Sequence, residues 1–104
     1  MRETGRNGFQ SYMKKKLKKI FPESLILKTD PNDVQGLPDL LILYNDKWAS
    51  LEAKGDADKP VQPNQVYYVS LMNDMGFSSF IFPENEEEVL NNLQTYFFSG
   101  IKGV

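Results

Sequence analysis

The chain has 104 residues, of which 40% are hydrophobic and 25% charged, a composition typical of one globular domain with a single core. Cysteine and histidine are both absent, which excludes disulfides, cysteine or histidine metal sites, and mechanisms that use a histidine base or a cysteine nucleophile. Catalysis would therefore depend on carboxylates, lysine, tyrosine, serine or a metal held by oxygen atoms.

Charge is divided unevenly along the chain, although the formal net charge is only −2. Residues 1–28 contain eight Lys/Arg and two Asp/Glu, a net +6, whereas residues 29–104 contain four Lys/Arg and twelve Asp/Glu, a net −8. This asymmetry predicts a basic binding surface on an otherwise acidic body. We find no membrane-spanning apolar run and no signal peptide, and therefore expect an intracellular protein with no membrane partner.

The N-terminal third of the chain predicts a helix followed by a strand. Apolar residues at helical spacing predict a helix over Phe9–Phe21, and Pro22 follows its end. The short apolar segment Ser24–Lys28 predicts a strand. Residues 29–36 are rich in Asp, Asn, Pro and Gly, which predicts a loop.

A β-hairpin is predicted next. The runs Asp39–Tyr44 and Lys47–Lys54 flank the two-residue step Asn45-Asp46, which is typical of a hairpin turn. Because the first run is almost entirely apolar, we expect its strand to be covered by helices on both faces.

The C-terminal half predicts a helix, a strand and a final helix. The helix covers Asn64–Met75 and ends at Gly76, the strand covers Phe77–Phe82, and the last helix covers Glu84–Phe98 with three glutamates in its first turn. The resulting order, αβββαβα, predicts a single α/β domain with a mixed sheet flanked by helices.

The hairpin register brings charged side chains together. If Asn45-Asp46 is the turn, Tyr44 pairs with Lys47, and Asp39 then lies directly opposite Glu52. Lys54 is two residues beyond Glu52 and therefore projects from the same face. Two facing carboxylates require a compensating cation, which Lys54 and a divalent metal would supply. Oxygen ligands of this kind favour Mg²⁺ or Mn²⁺, which promote phosphodiester hydrolysis.

These residues resemble the PD-(D/E)XK nuclease superfamily, and above all its VRR-NUC branch, which includes short stand-alone bacteriophage proteins. The resemblance rests on Gly36-Leu37-Pro38-Asp39, the hairpin, Glu52-Ala53-Lys54, and Gln65 on the next helix. It implies a restriction-endonuclease-like core over residues 1–104. It further implies that Asp39, Glu52 and the Ala53 carbonyl ligate the metal, that Lys54 is catalytic, and that Gln65 supports the site. Many members carry an acidic residue on the first helix, for which Glu3 is the candidate here; Gln10 is not acidic.

The first helix predicts a phosphate-binding surface. Five lysines on it (Lys14, Lys15, Lys16, Lys18 and Lys19) have no acidic neighbour in the sequence. The candidate nucleic-acid contacts are Arg2, Arg6, Lys14, Lys15, Lys18 and Lys19. Such contacts give sequence-independent affinity, and since no base-reading motif is present, we expect recognition of nucleic-acid shape.

Together these features predict a Mg²⁺- or Mn²⁺-dependent DNA endonuclease in the cytoplasm of a bacterial or phage-infected cell. The resemblance implies a branched substrate such as a Holliday junction. Cutting two strands symmetrically requires two sites, so we expect a homodimer, with residues 96–98 either at its interface or closing the core. Two alternatives stay open: a non-catalytic nucleic-acid-binding module that uses the basic helix, and an interaction protein whose basic helix binds an acidic partner.

Overall fold

The computed structural model describes residues 5–56 and 60–100. Its elements are α1 (Gly5–Ile20), β1 (Leu25–Lys28), β2 (Leu40–Tyr44), β3 (Lys47–Ala53), α2 (Pro63–Met75), β4 (Phe77–Ile81) and α3 (Glu86–Ser99). The predicted order αβββαβα is therefore confirmed. Within the described ranges, no helix combines the length and the apolar character needed to cross a membrane.

The four strands form one mixed sheet in the order β1-β2-β3-β4. The strands β1, β2 and β3 pair antiparallel, whereas β4 runs parallel to β3 because α2 carries the chain back across the sheet between them. α1 and α3 pack on one face of the sheet, and α2 packs on the other. The predicted α/β class and mixed sheet are thus confirmed.

The core lies between the sheet and the pair α1 and α3. On α1, Phe9, Met13 and Leu17 recur every four residues and are buried, so they form one helical stripe. They belong to the same buried cluster as Leu51 of β3 and Leu93 of α3. This interlocked packing fixes the sheet, and with it the ends of the strands where the polar residues lie.

The second face of β2 is less covered than its sequence predicts. Leu40 and Ile42 are fully buried under α1 and α3, but Leu41 is only partly buried and Leu43 is 38% exposed. α2 packs mainly against β3 and β4, so it leaves β1 and β2 open on its side of the sheet. The prediction that helices cover both faces of this strand is therefore wrong for the second face.

Gly76 ends α2, and glycine is needed there because of a tertiary contact that the local sequence does not indicate. The helix stops at Met75 and the Gly76 N–H donates to the Met72 carbonyl, but the Gly76 backbone, with a φ of −159° and a ψ of −121°, is not left-handed. A Cβ at this position would lie 2.8 Å from ring atoms of Trp48. Glycine is required here because the Trp48 indole packs directly against the backbone.

Candidate metal and catalytic site

The observed hairpin has the predicted register. Tyr44 pairs with Lys47 next to the turn, and the ladder continues to Leu40 opposite Leu51. Asn45 supports the tight turn with a positive φ of 54°, a conformation that asparagine tolerates well. Asp39 directly precedes this ladder, so it lies at the same end of the hairpin as the C-terminal residues of β3.

The Asp39 side chain extends the pairing between β2 and β3. Its Oδ2 accepts a hydrogen bond from the Ala53 N–H at 3.2 Å. The Asp39 carbonyl accepts a 2.9 Å hydrogen bond from the Thr29 N–H, and the Thr29 hydroxyl donates to the Pro38 carbonyl at 2.7 Å. These bonds fix the Asp39 carboxylate at the ends of three strands, beside the residue that follows Glu52.

Glu52 and Gln65 connect β3 to the start of α2. Glu52 is only 1% exposed, and its Oε2 accepts a hydrogen bond from Gln65 Nε2 at 3.3 Å. Gln65 Oε1 in turn accepts the Gln62 N–H at 3.0 Å, which caps the first turn of α2. Gln65 is therefore buried and orients Glu52, rather than lying on a solvated helix surface; its role in catalysis stays a prediction.

Lys54 adds a buried lysine at the same end of β3. It directly follows β3, and its N–H donates to the Ile81 carbonyl at 2.9 Å, which prolongs the pairing with β4. The residue is buried, and its side chain follows the alternation of Glu52 two positions earlier. Buried charges are costly unless opposite charges lie close by. We call Asp39, Glu52, Lys54 and Gln65 the carboxylate cluster.

The donor atoms of the carboxylate cluster fit Mg²⁺ or Mn²⁺. Within the described ranges, no group of three or more His, Cys, Asp or Glu side chains is close enough to hold a metal. Mg²⁺ is commonly bound by one or two carboxylates and retains several waters, a requirement that Asp39 and Glu52 meet. Since the N–H and C=O of one strand residue point to the same neighbour, the Ala53 carbonyl also faces the Asp39 side.

A cleft of about 420 Å³ adjoins this cluster, between the loop after β1 and the start of α2. Gly36, Asn64 and Gln65 are among its lining residues. Gly36 has a φ of 92°, and a Cβ there would lie 2.7 Å from the Asn64 side chain, so glycine permits both the turn and the close approach. The Gly-Leu-Pro-Asp segment thus shapes the cleft as well as delivering Asp39.

The predicted N-terminal contributors to the site are only partly described. Glu3, the candidate fourth ligand, and Arg2 lie outside the described residues, as does the side chain of Arg6. Gln10 is buried on α1.

Two lysines of α1, Lys14 and Lys18, line a cleft with Ser24 and Leu25 at the start of β1. Lys15, Lys18 and Lys19 are exposed and Lys14 is partly buried. Lys18 Nζ donates to the Ser24 carbonyl, next to the end of β1 that pairs near the hairpin turn. Asp39 lies beyond the opposite end of the ladder. The structure therefore places Lys14 and Lys18 at the end of β1 opposite to the end that meets Asp39.

Lys16 differs from the other α1 lysines. Its ammonium forms a hydrogen bond and ion pair with Glu86 of α3, and the Tyr12 hydroxyl donates to the same carboxylate at 2.7 Å. The pKa of Lys16 is raised, chiefly by the hydrogen bond to Glu86, although burial opposes the shift. The five lysines have no acidic neighbour in the sequence, but the fold brings Glu86 of a distant helix to Lys16. We call Tyr12, Lys16 and Glu86 the interhelix cluster.

One further lysine, which is absent from the sequence-based set, lies at the Asp39 end of the sheet, although its register with Leu40 turns its side chain to the α1 and α3 face rather than to the face of Glu52. Lys28, the last residue of β1, is exposed and pairs with Leu40, one position from Asp39. The sequence could have predicted this position, because Lys28 is the last residue of the predicted strand Ser24–Lys28. When β1 pairs antiparallel with β2, the C-terminal end of β1 lies next to the N-terminal end of β2. Among the described lysines of α1 and β1, Lys28 is the one that takes part in the β1–β2 ladder, opposite the neighbour of Asp39.

In the comparisons with known proteins, no family model, no curated protein and no solved structure matches the chain.

Proposed function

We propose that this chain is a metal-dependent endonuclease that hydrolyses phosphodiester bonds in DNA. The observation that supports the proposal is the carboxylate cluster: two acidic side chains, a lysine and a glutamine, all buried at one end of the sheet. Buried charges of this kind are costly to a small domain and therefore favour a functional role. We also propose that the chain has a restriction-endonuclease-like core and belongs with the VRR-NUC branch, which its sequence resembles.

The residues of the cluster have separate roles in this mechanism. Asp39, Glu52 and the Ala53 carbonyl would hold Mg²⁺ or Mn²⁺, which supplies Lewis-acid polarisation of a phosphoryl oxygen and a more acidic water. Lys54 orients the attacking water and balances the negative charge that develops on the phosphate. Gln65 holds Glu52 in orientation through its 3.3 Å hydrogen bond. Water oxygen bonds to phosphorus, one P–O ester bond breaks, and the leaving oxygen takes a proton.

The proposed substrate is branched DNA such as a Holliday junction, and the proposed active form is a homodimer with two sites. The branched substrate follows from the resemblance to small phage nucleases. The dimer follows from the need to cut two strands related by symmetry. The exposed lysines of α1, with Lys28, would bind phosphates without regard to sequence.

A cleavage assay tests the proposal. A labelled four-way junction and a linear duplex of the same sequence are incubated with the chain and Mg²⁺, Mn²⁺ or EDTA. We expect metal-dependent cleavage, and we expect Asp39→Asn and Glu52→Gln to slow it by about 10²–10³-fold, the scale for removing one preorganised electrostatic group. Glu87→Gln, at an exposed position on α3, is the matched control and should cut normally.

The proposal is wrong if the wild-type chain cuts neither substrate with either metal, or if both carboxylate variants cut at the wild-type rate. Circular dichroism of each variant shows whether the fold is retained. Salt-sensitive binding of DNA without cleavage would instead support the non-catalytic binding module, which the exposed and separate lysines of α1 favour.

A further inference from the structure

The cleft beside the carboxylate cluster is lined mainly by carboxamide side chains. Five of its lining residues are asparagine or glutamine: Asn32, Gln35, Gln62, Asn64 and Gln65. Among the described residues, no charged side chain lines it. We call this cleft of about 420 Å³ the amide cleft. Its volume lies within the range of about 300–1,000 Å³ that is usual for sites holding small organic groups.

The amides come from two segments that the fold brings together. Asn32 and Gln35 lie on the loop between β1 and β2, whereas Asn64 lies in the first turn of α2. Gly36 joins the two segments by a close approach, since a Cβ there would lie 2.7 Å from the Asn64 side chain. Because β2 and β3 separate the two segments in the sequence, no linear motif indicates this cleft.

Gln65 connects the amide cleft to the carboxylate cluster. It lines the cleft, and its Nε2 donates a hydrogen bond to Glu52 Oε2 at 3.3 Å. A single side chain therefore separates the cleft from a proposed metal ligand. A DNA strand whose phosphate lies at the carboxylate cluster has a neighbouring base within reach of the cleft.

The chemistry of the lining favours a nucleobase over a phosphate or an apolar group. A carboxamide offers two N–H donors and a carbonyl acceptor, which complement the donors and acceptors on the edge of a base, and asparagine or glutamine can bind adenine through two hydrogen bonds. A phosphate requires cations, which the described part of the lining lacks. An apolar ligand would leave the amides without the hydrogen bonds that water gives them.

We propose that the amide cleft binds an unpaired base of the DNA strand that is cut. A base inside a duplex is stacked between its neighbours and exposes only its groove edges, so it cannot enter a cleft unless it leaves the stack. A base that is already unpaired enters at a lower cost, because no base pair is lost. This inference rests on the proposed function, and it narrows the substrate to DNA with an unpaired nucleotide next to the cut.

Fluorescence anisotropy of the full chain in EDTA tests the inference through binding alone. One labelled probe is a four-way junction with an unpaired deoxyadenosine at its branch point, and the other has an abasic deoxyribose at the same place. We expect the wild type to bind the first probe about 10-fold more tightly, the equivalent of one or two hydrogen bonds. Because both probes have the same phosphates, repulsion by Asp39 and Glu52 cancels in this ratio.

Two amides of the cleft can be removed at exposed positions, where substitutions disturb the fold least. The double variant Asn32→Leu with Gln35→Met should reduce the ratio of affinities to about 2-fold or less, because the hydrogen bonds to the base are lost. Asn91→Leu, at an exposed position on α3, is the matched control and should keep the wild-type ratio. Circular dichroism shows whether each variant keeps the fold.

Equal affinity of the wild type for the two probes overturns the inference, as does binding of neither probe. A preference that the double variant keeps, or that Asn91→Leu alone removes, overturns it as well. The result is separable from the proposed nuclease function. A chain that cuts DNA with metal but shows no preference contradicts only the role of the amide cleft, whereas a preference without cleavage contradicts only the nuclease.

Discussion

The carboxylate cluster and the interhelix cluster lie on opposite sides of the sheet and differ in the charges of their residues. In the interhelix cluster, Glu86 of α3 meets Lys16 of α1, so one negative charge faces one positive charge, with the Tyr12 hydroxyl as an added donor. The carboxylate cluster contains two carboxylates, Asp39 and Glu52, for its one lysine. Counted over these described residues alone, the interhelix cluster has one negative charge for one positive charge, and the carboxylate cluster has two negative charges for one positive charge.

We infer from this difference that the interhelix cluster stabilises the fold, whereas the carboxylate cluster serves the proposed function. A balanced ion pair between two helices stabilises their packing and requires no further ligand. Two carboxylates held close together repel each other, and the sheet loses stability unless a cation lies between them. Replacing glutamate with glutamine should therefore have different effects on the free energy of unfolding in the two clusters. Glu86→Gln should lower it, whereas Glu52→Gln in the absence of metal should not.

The largest expected effect is stabilisation by metal at the carboxylate cluster. A ligand that binds only the folded state at 100 times its Kd raises the free energy of unfolding by about 2.7 kcal/mol. We therefore expect Mg²⁺ or Mn²⁺ to raise the midpoint of urea unfolding of the wild type. Glu52→Gln should remove most of this increase, because one carboxylate ligand is lost while the hydrogen bond to Gln65 can be kept.

The metal-free proteins provide the control for this experiment. In EDTA, Glu52→Gln should be at least as stable as the wild type, since it relieves repulsion with Asp39. If the metals stabilise wild type and Glu52→Gln equally, the carboxylate cluster is not their binding site. Glu87→Gln on the exposed surface of α3 should respond to metal as the wild type does.

Local sequence patterns were sufficient for the elements and for the hairpin. The order of elements follows from apolar periodicity, and the register follows from the two-residue turn, which Asn45 adopts with a positive φ. These features depend on neighbouring residues only. That is why the sequence could place Asp39 and Glu52 at the same end of β2 and β3 before any tertiary contact was known.

Contacts between distant segments could not be predicted in this way. Glu86 is 70 residues from Lys16, and no local pattern indicates that α3 brings it to α1. Gly76 is required by Trp48, which lies on a different element. The exposure of Leu43 depends on where α2 crosses the sheet. Each of these results from packing in three dimensions, which the order of elements does not specify.

The second expected effect is a loss of stability at the interhelix cluster. Glu86→Gln removes the charge that Lys16 and Tyr12 face, and should lower the free energy of unfolding by about 1–2 kcal/mol, a value reduced because Lys16 is partly exposed. Cleavage of DNA should be unchanged. Urea unfolding measures the loss, and a variant as stable as the wild type would contradict the role of this ion pair.

The contribution of the interhelix cluster to the free energy of unfolding depends on pH. Because the pKa of Lys16 in the folded chain lies above its ordinary value of 10.5, the folded state binds the proton more tightly than the unfolded state does. Its contribution to stability is complete below pH 10.5 and is lost as the pH rises through the raised pKa. The difference in stability between wild type and Glu86→Gln should therefore shrink above pH 10.5.

The smallest expected effect distinguishes the two groups of lysines. Lys28 ends β1 at the Asp39 end of the β1–β2 ladder, whereas Lys19 follows Lys18, whose ammonium contacts Ser24 at the other end of β1. If DNA lies across the carboxylate cluster, Lys28→Ala should raise KM for junction cleavage a few-fold with kcat unchanged, and should reduce the salt slope of binding by about one. Lys19→Ala, the matched control, should change both quantities less. An equal or larger effect of Lys19→Ala would instead place the phosphate path along α1, and the DNA would then have to span the sheet from the basic helix to Asp39 and Glu52.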